Sequence, residues 1–275
     1  MTDATTAVDA TDVVRARPAG FLRDLSSVAA RALRLIPREP ESIVPALIVP
    51  LFFFFVNTGS LSSTFESFAP PGVDFDYAAF QLPVAIIFAV TGVSRASSLV
   101  TDIQGGYFDR LLMTPMNRFA LLLGLMVADF ALVLALSIPV VVLGLIVGVS
   151  FATGVAGMVA FCVIAACWGV VFTGFPYAIA LKTGSPAAVN SSFILFFPFA
   201  FLTTAFAPQE ALSGWLATVA RFNPVTYLLA ALRSLVMEGW DATELAKGGA
   251  AIVAVGLVSL TLAFVALRGR VRRGG

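Results

Sequence analysis

The sequence predicts an all-α polytopic membrane protein, and its composition and long apolar runs are the observations that indicate this class. Hydrophobic residues make up 59% of the 275 residues, whereas charged residues make up only 12%. A water-soluble fold has too little interior to bury that much apolar surface. The spans should be helices, because lipid forces each backbone donor and acceptor to pair within its own segment. A membrane barrel would instead show short segments of strict alternation.

Six apolar runs predict six transmembrane helices, because about 20 apolar residues cross a hydrocarbon core roughly 30 Å thick. The runs are Ile43–Thr58, Phe80–Val100, Leu121–Val149, Gly154–Leu181, Ala188–Phe206 and Gly248–Leu267. Together they predict one membrane domain over residues 43–267, which leaves no room for a soluble enzymatic domain.

The chain before the first run divides into a tail and a helix. Residues 1–18 are polar and lack an apolar core, which predicts a disordered tail and no cleaved secretory signal. Residues 19–42 have helical spacing of apolar positions and are predicted to form an amphipathic interface helix. Its apolar and basic positions include Phe21, Leu25, Arg31 and Arg34. Such a helix either only anchors the chain or also contacts a cytoplasmic partner.

Residues 101–118 form a polar segment between the second and third runs. Gly105-Gly106 and Pro115 bracket about two helical turns. The residues that would share a face are either Tyr107, Leu111 and Thr114 or Phe108, Leu111 and Leu112. The short helix would expose aromatic and apolar groups unless something covers them. It is therefore interpreted as a docking site for a soluble partner, with a solvated loop as the alternative.

Asp129 is the only acidic residue well inside a predicted span. A buried ionisable group in a membrane is costly unless it is paired or hydrated, which suggests a functional role. The third run is longer than a bilayer requires, however, so Asp129 could also be an interfacial or structural residue.

Residues 207–247 contain two apolar stretches, Trp215–Ala220 and Val225–Met237, each too short to cross the membrane. Asn223-Pro224 separates them, which predicts two short re-entrant helices. Arg221 and Arg233 would then lie at headgroup depth, where arginine can snorkel. This segment is either an outer lid over a substrate path or a stabilising plug.

Basic residues indicate the orientation, because Lys and Arg accumulate in cytoplasmic loops. Most of the 17 lie before the first span, at the second-to-third junction, after the fourth span and after the sixth. We therefore expect a plasma (inner) membrane protein with both termini in the cytoplasm. Residues 268–275 would form a basic cytoplasmic tail.

Several kinds of chemistry are not expected. The chain has no histidine, and its two cysteines, Cys162 and Cys167, lie inside an apolar run and are interpreted as packing residues. No catalytic residues, metal site or resident cofactor are predicted, and nothing indicates a nucleic-acid partner. No phosphate-binding G-x-x-x-x-G-K-[ST] loop is present, so any ATP hydrolysis must occur on another polypeptide.

Two groups of residues resemble the ABC type-2 exporter permeases, most closely the daunorubicin-resistance permease branch. The first comprises Asp102 to Gly106, Phe108-Asp109-Arg110, Pro115, Arg118, Gly124 and Ala128-Asp129. The second comprises Ala205-Phe206, Pro208, Leu212, Trp215-Leu216, Asn223-Pro224, Thr226, Ala231 and Arg233. The similarity covers roughly residues 30–267. Ser213 is a departure, because many relatives carry proline there.

The resemblance implies a membrane subunit that works with two cytoplasmic ABC ATPase subunits, which bind ATP and Mg. It also implies a second permease subunit, which is either the same chain or a paralogue. The coupling residues would be Asp102, Gly105, Gly106, Tyr107, Phe108, Asp109, Arg110, Leu111 and Pro115. The outer lid would include Trp215, Arg221, Asn223, Pro224, Tyr227 and Arg233. Asp129 matches a family position without a fixed role.

The expected function is export of an amphipathic drug or lipid-like molecule, as in multidrug efflux and antibiotic resistance. Export of a cell-envelope lipid or glycan precursor is a variant of the same class. A secondary transporter and a non-transporting scaffold are the alternatives from other classes. An intramembrane enzyme is the weakest reading.

Overall fold

The computed structural model describes residues 20–38, 40–68, 75–114 and 116–273. It is 85% helical, and helix is the only regular structure in these ranges, so the predicted all-α class is confirmed. The predicted tail over residues 1–18 and the predicted coupling residue Pro115 lie outside them.

Thirteen α-helices are present in these ranges. The first seven are α1 (Phe21–Leu35), α2 (Pro40–Phe68), α3 (Tyr77–Thr91), α4 (Ala96–Gln104), α5 (Tyr107–Leu112), α6 (Arg118–Val147) and α7 (Gly154–Phe172). The remaining six are α8 (Gly174–Thr183), α9 (Pro186–Ser192), α10 (Phe196–Phe201), α11 (Gly214–Phe222), α12 (Pro224–Arg233) and α13 (Ala242–Arg273). Because α13 continues through Arg273, the predicted basic tail is largely the end of this helix.

Five helical stretches in the described part of the chain are long and apolar enough to cross a membrane. They are Ile43–Ser60, Tyr77–Gln104, Arg118–Val147, Gly154–Thr183 and Ala242–Arg272. The fifth apolar run instead forms the shorter stretch Pro186–Phe201, in which α9 and α10 are joined by a 3₁₀ turn. The chain is therefore a polytopic membrane protein, and its sixth span stays a prediction.

Proline explains two of the interruptions. Pro176 is the third residue of α8 and Pro198 is the third residue of α10. Proline has no N–H and its ring clashes with the carbonyl four residues before it, but it is tolerated in the first turn of a helix. The fourth and fifth apolar runs are therefore each broken just before their proline.

The second apolar run is broken without a proline. Helix α3 ends at Thr91 and α4 begins at Ala96, so that Gly92, Val93, Ser94 and Arg95 lie between them. The run had been predicted as one helix from Phe80 to Val100, and the structure divides it into two.

The apolar interior consists of two main clusters. The α12-side core contains buried residues of α3, α7, α10 and α12 together with the C-terminal half of α6. The α5-side core contains buried residues of α4, α5, α8 and α13 together with the N-terminal half of α6. On α6 the last buried member of the α5-side core is Ala128 and the first of the α12-side core is Val133. The single helix α6 thus runs through both cores.

Candidate functional site

A short helix projects from the end of α4 at the predicted coupling segment. Helix α4 ends at Gln104, and Gly106 adopts φ 69°, a left-handed conformation that residues with a side chain rarely adopt. Helix α5 begins directly afterwards at Tyr107. The glycine pair therefore ends α4 and lets the chain turn into α5.

Helix α5 has an inward and an outward side. The Phe108 ring is only 1% exposed and belongs to the α5-side core, with the guanidinium of Arg270 5.8 Å from the ring centroid. Leu111 is partly buried against the same core. By contrast, Tyr107 is 37% exposed and Met113 80% exposed. Asp109, Arg110 and Thr114 also face outward.

The placement of Phe108 corrects one of the two faces considered from the sequence. One of the two faces predicted from the sequence would expose this ring together with Leu111 and Leu112, and the structure buries it instead. The ring is part of the α5-side core, to which α4 and α8 also contribute buried residues. The outward surface of α5 is therefore built from Tyr107, Asp109 and Arg110.

Arg31 connects helix α1 to both α4 and α5. Its two terminal nitrogens each donate to one oxygen of Asp102 at 2.8 Å, a bidentate pair. The guanidinium also lies 4.1 Å from the centroid of the Tyr107 ring. The hydrogen bond to Asp102 raises the pKa of Arg31. These contacts hold the predicted interface helix against the predicted coupling segment.

Helix α1 packs closely on the start of α6. A Cβ at Gly124 would lie 2.8 Å from the Cβ of Val28, which shows how near the two backbones are. The backbone N–H of Asn117 donates to Asp24 at 2.9 Å, and Asp24 is buried. Sequence reasoning missed Asp24, although an acidic residue beside the apolar positions of an amphipathic helix was a usable signal.

The remaining predicted interface residues lie on the periphery of α1. Phe21 is 40% exposed, Leu25 is half-buried and Arg34 is exposed. The exposed Leu22 next to Phe21 gives this end of α1 an apolar outer surface, as expected of a helix that lies in a membrane interface.

Asp129 is fully buried, and its hydrogen-bond donors come from the segment between α3 and α4 and from helix α8. The backbone N–H of Arg95 donates to Oδ1 at 3.0 Å, and the Tyr177 hydroxyl on α8 donates to Oδ2 at 2.6 Å. Of the alternatives considered from the sequence, the burial and the two hydrogen bonds argue against an interfacial position and agree with a pairing role.

Arg233 on α12 is buried among backbone carbonyls. Its Nε donates to the Phe80 carbonyl at 3.1 Å, and its Nη2 donates to the Thr204 carbonyl at 2.8 Å. Its guanidinium carbon lies 3.4 Å from the centroid of the Phe80 ring. For Arg233 the predicted snorkelling is therefore wrong, because its guanidinium is buried against the Phe80 carbonyl of α3 and the non-helical backbone at residues 204–205, whose carbonyls need a donor.

Asn223 stabilises the same non-helical backbone. Its side-chain amide donates to the carbonyls of Phe199 at 2.7 Å and Leu202 at 2.9 Å. Its Oδ1 accepts from the backbone N–H of Val225, just after Pro224 at the first position of α12. Asn223 thus caps the N-terminus of α12 and also connects it by hydrogen bonds to the C-terminal end of α10.

The other predicted lid residues lie on the surface. Trp215 is 69% exposed, and Phe222 beside Arg221 is 84% exposed. The Tyr227 hydroxyl donates to the Arg221 carbonyl at 2.6 Å. Phe222 was not among the predicted site residues, although it directly precedes Asn223-Pro224. Aromatic side chains of this kind are common at membrane interfaces.

The described ranges contain no group of three or more His, Cys, Asp or Glu residues that could hold a metal ion. Cys162 and Cys167 are free thiols, both partly buried.

Comparison with known proteins gives a consistent match. The family model described as "ABC-2 type transporter" matches residues 23–237. "Daunorubicin resistance ABC transporter permease protein DrrB1" of Streptomyces coeruleorubidus is 27% identical over 232 residues, covering 82% of this chain and 80% of the relative. "Probable doxorubicin resistance ABC transporter permease protein DrrC" of Mycobacterium tuberculosis is 22% identical over 215 residues, covering 76% and 75% respectively.

Proposed function

Because this chain belongs to the ABC-2 type transporter family, we propose that it is the membrane subunit of an exporter driven by a separate ABC ATPase. Two such ATPase subunits, which bind ATP and Mg, would associate with two permease subunits, either two copies of this chain or this chain and a paralogue. The chain itself would not be catalytic. Its α5 side would face the cytoplasm together with both termini.

The observation that carries the proposal is the braced, outward-facing helix α5. Arg31 holds α5 and α4 to α1 through Asp102 and Tyr107, and Phe108 anchors α5 in the α5-side core. A helix held in this way can transmit a push on its outer surface to the membrane helices instead of yielding locally. Tyr107, Asp109, Arg110 and Met113 would make the contact with the ATPase.

We further propose that the cargo is an amphipathic drug-like molecule that enters from the bilayer. Helices α2 and α10 expose phenylalanine rings, which suit flat or amphipathic apolar molecules. These rings are Phe52, Phe53, Phe55, Phe197, Phe199 and Phe201. The relatives named for daunorubicin and doxorubicin resistance favour a drug over the cell-envelope lipid or glycan precursor that is the other cargo class.

Co-purification and ATP hydrolysis test the proposal. The chain would be expressed with a candidate ATPase, reconstituted into nanodiscs, and assayed for ATP turnover with anthracycline-type drugs and, in parallel, with lipid precursors. We expect a stable complex whose turnover rises with drug. Transport without an ATPase would support a secondary transporter instead, and a chain that binds neither ATPase nor cargo would support a scaffold.

A matched pair of variants tests the location of the ATPase contact. Met113→Ala in the coupling segment and Phe222→Ala before α12 both shorten a highly exposed side chain, 80% and 84% exposed respectively. We expect Met113→Ala to weaken ATPase association and Phe222→Ala to leave it unchanged. The reverse result would move the contact to the opposite end of the molecule.

A further inference from the structure

Two of the membrane helices are interrupted beside Asp129. One interruption separates α3 from α4 at residues 92–95, and the other separates α7 from α8 at Thr173. Asp129 accepts from the N–H of Arg95 at the first break. It also accepts from Tyr177, the fourth residue of α8 beyond the second break. Thr173 is a further polar neighbour of the same carboxyl group.

A layer of buried polar side chains lies where the α12-side core and the α5-side core meet, and it includes Trp168 of the first core and Tyr177 of the second. The Trp168 indole donates to the Thr91 hydroxyl at 3.0 Å, where α3 ends. On α13, the Ser259 hydroxyl donates to the Val171 carbonyl just before the break at Thr173. The buried members of the layer are Thr91, Arg95, Asp129, Trp168, Thr173, Tyr177 and Ser259.

Asp129 restores hydrogen bonding that the broken second span would otherwise lose. The first turn of α4 has N–H groups without a helical acceptor, and this turn lies inside the protein. The Asp129 carboxyl accepts from the N–H of Arg95, the capping residue of α4. The Ser94 hydroxyl accepts from the N–H of Ala96 at 3.1 Å. A carboxyl group at a helix N-terminus is also favoured by the helix dipole.

The two helix breaks beside Asp129 are suited to a change of angle between the helices that they separate. At both breaks the ladder of helical hydrogen bonds is already interrupted, so a change of angle there does not require further backbone bonds to break. The two apolar cores on either side consist of buried side chains, and close-packed interiors resist deformation. Movement of α3 relative to α4 and of α7 relative to α8 should therefore concentrate in the polar layer, which α6 crosses as one continuous helix.

We propose that this polar layer is a hinge between the two halves of the bundle, and that Asp129 is the positioning residue that sets its angle. The inference rests on the proposed function, in which α5 receives movement from an ATPase. Phe108 and α4 belong to the α5-side core, so a push on α5 would move that half as a unit. Asp129 on α6, bonded to Arg95 and to Tyr177, would pass the rotation to the other half.

Distance measurements between spin labels test the hinge in the reconstituted complex with its ATPase. In a background of Cys162→Ala and Cys167→Ala, one label pair joins Lys182→Cys near the end of α8, outside the proposed ATPase contact, to Ile146→Cys near the end of α6. Both native residues are exposed. A reference pair, Lys182→Cys with Arg268→Cys, lies within the α5-side half. We expect ATP to change the first distance and leave the second unchanged.

Three substitutions assign the effect to Asp129. Asp129→Asn retains one acceptor oxygen, and Tyr177→Phe removes one donor with almost no change in shape. Ser137→Ala is the matched control, because Ser137 is equally buried on α6 and its hydroxyl donates only to the Val133 carbonyl within its own helix. We expect the first two variants to lose cargo stimulation of ATP turnover by about fivefold or more, the lower end of typical coupling between linked sites.

The outcomes separate the two proposals. Loss of the ATP-driven distance change in Tyr177→Phe, with assembly and basal ATP turnover retained, supports the hinge even if Asp129→Asn folds poorly. An unchanged distance response in both variants, or equal movement of the reference pair, overturns the hinge and leaves the proposed function intact. A wild-type chain that binds no ATPase overturns the proposed function and the hinge with it.

Discussion

Arg31 is the residue through which three helices meet, and its shape is as important as its charge. The planar guanidinium makes two parallel bonds to Asp102 and also lies against the Tyr107 ring. Lysine carries the same charge on a compact group that cannot make both contacts in this geometry. The Arg31 and Asp102 side chains are 39% and 21% exposed, so the pair should contribute less than about 1 kcal/mol to stability. Its role is therefore orientation.

Replacing Arg31 with lysine should reduce coupling without unfolding the protein. We expect cargo-stimulated ATP turnover to fall several-fold in Arg31→Lys and in Asp102→Asn, while the thermal midpoint stays near that of the wild type. Arg34→Lys is the control, because Arg34 is exposed near the end of the same helix. Full stimulation in Arg31→Lys would show that the bidentate pair does not orient α5.

Phe108 and Tyr107 are adjacent aromatic residues with opposite surroundings, 1% and 37% exposed respectively. Phe108→Ala should destabilise the protein by about 3–5 kcal/mol, the usual cost of removing a large buried side chain. Tyr107→Ala should leave the thermal midpoint nearly unchanged and reduce ATPase coupling instead. Melting curves of both variants in detergent check this, and equal destabilisation would contradict the inward placement of Phe108.

The sequence predicted the short helix α5 but not which of its residues face inward. Six residues make less than two turns, so the apolar positions fit more than one face, and both faces were considered. Arg233 was predicted at headgroup depth because nothing nearby in sequence indicates the carbonyls that it contacts. Those carbonyls belong to Phe80 and to residues 204–205, which lie far from Arg233 along the chain.

Helix α1 is held to α6 by close backbone approach, since Gly124 leaves no space for a side chain opposite Val28. The bond between Asp24 and the N–H of Asn117 fixes the start of α6 against the same helix. Because Arg31 lies on α1, the position of α1 determines where Arg31 meets Asp102. The interface helix is thus a brace for the coupling segment.

Gly124→Leu should push α1 away from α6. In a background without Cys162 and Cys167, Ala32→Cys reports the displacement, because Ala32 is only 2% exposed. We expect Ala32→Cys to react slowly with maleimide in the parent protein and much faster when Gly124→Leu is added. Gly249→Leu on α13 is the control, since a Cβ there would meet no atom within 4 Å. Unchanged reactivity would contradict the close approach.

The interruptions of the spans differ in how far the sequence could predict them. Pro176 and Pro198 are signals that can be read directly from the sequence, and each lies in the first turn after a break. The break between α3 and α4 has no such signal, because Gly92 and Ser94 are common within membrane helices. This break depends on a hydrogen-bond acceptor from a distant part of the chain, the carboxyl group of Asp129. The residues of the second apolar run alone do not indicate that this acceptor lies beside them.

The whole molecule has a basic end and an aromatic end. Exposed arginines accompany the α5-side core at the ends of α1, α5, α6 and α13, and they include Arg34, Arg110, Arg118, Arg268 and Arg272. Exposed aromatic residues accompany α11 and α12 and the turn that follows, namely Trp215, Phe222, Tyr227 and Trp240. The charge bias predicts that the basic end faces the cytoplasm.

Cysteine labelling on intact cells tests this orientation. In the background without native cysteines, Met113→Cys reports the α5 end and Phe222→Cys the α12 end, and both native side chains are among the most exposed in the described ranges. A membrane-impermeant maleimide should label Phe222→Cys on intact cells and Met113→Cys only after permeabilisation. Arg268→Cys shares the basic end and should follow Met113→Cys, which controls for leaky cells. Labelling of Met113→Cys from outside would place α5 where no cytoplasmic ATPase could reach it, so the proposed coupling route would fail.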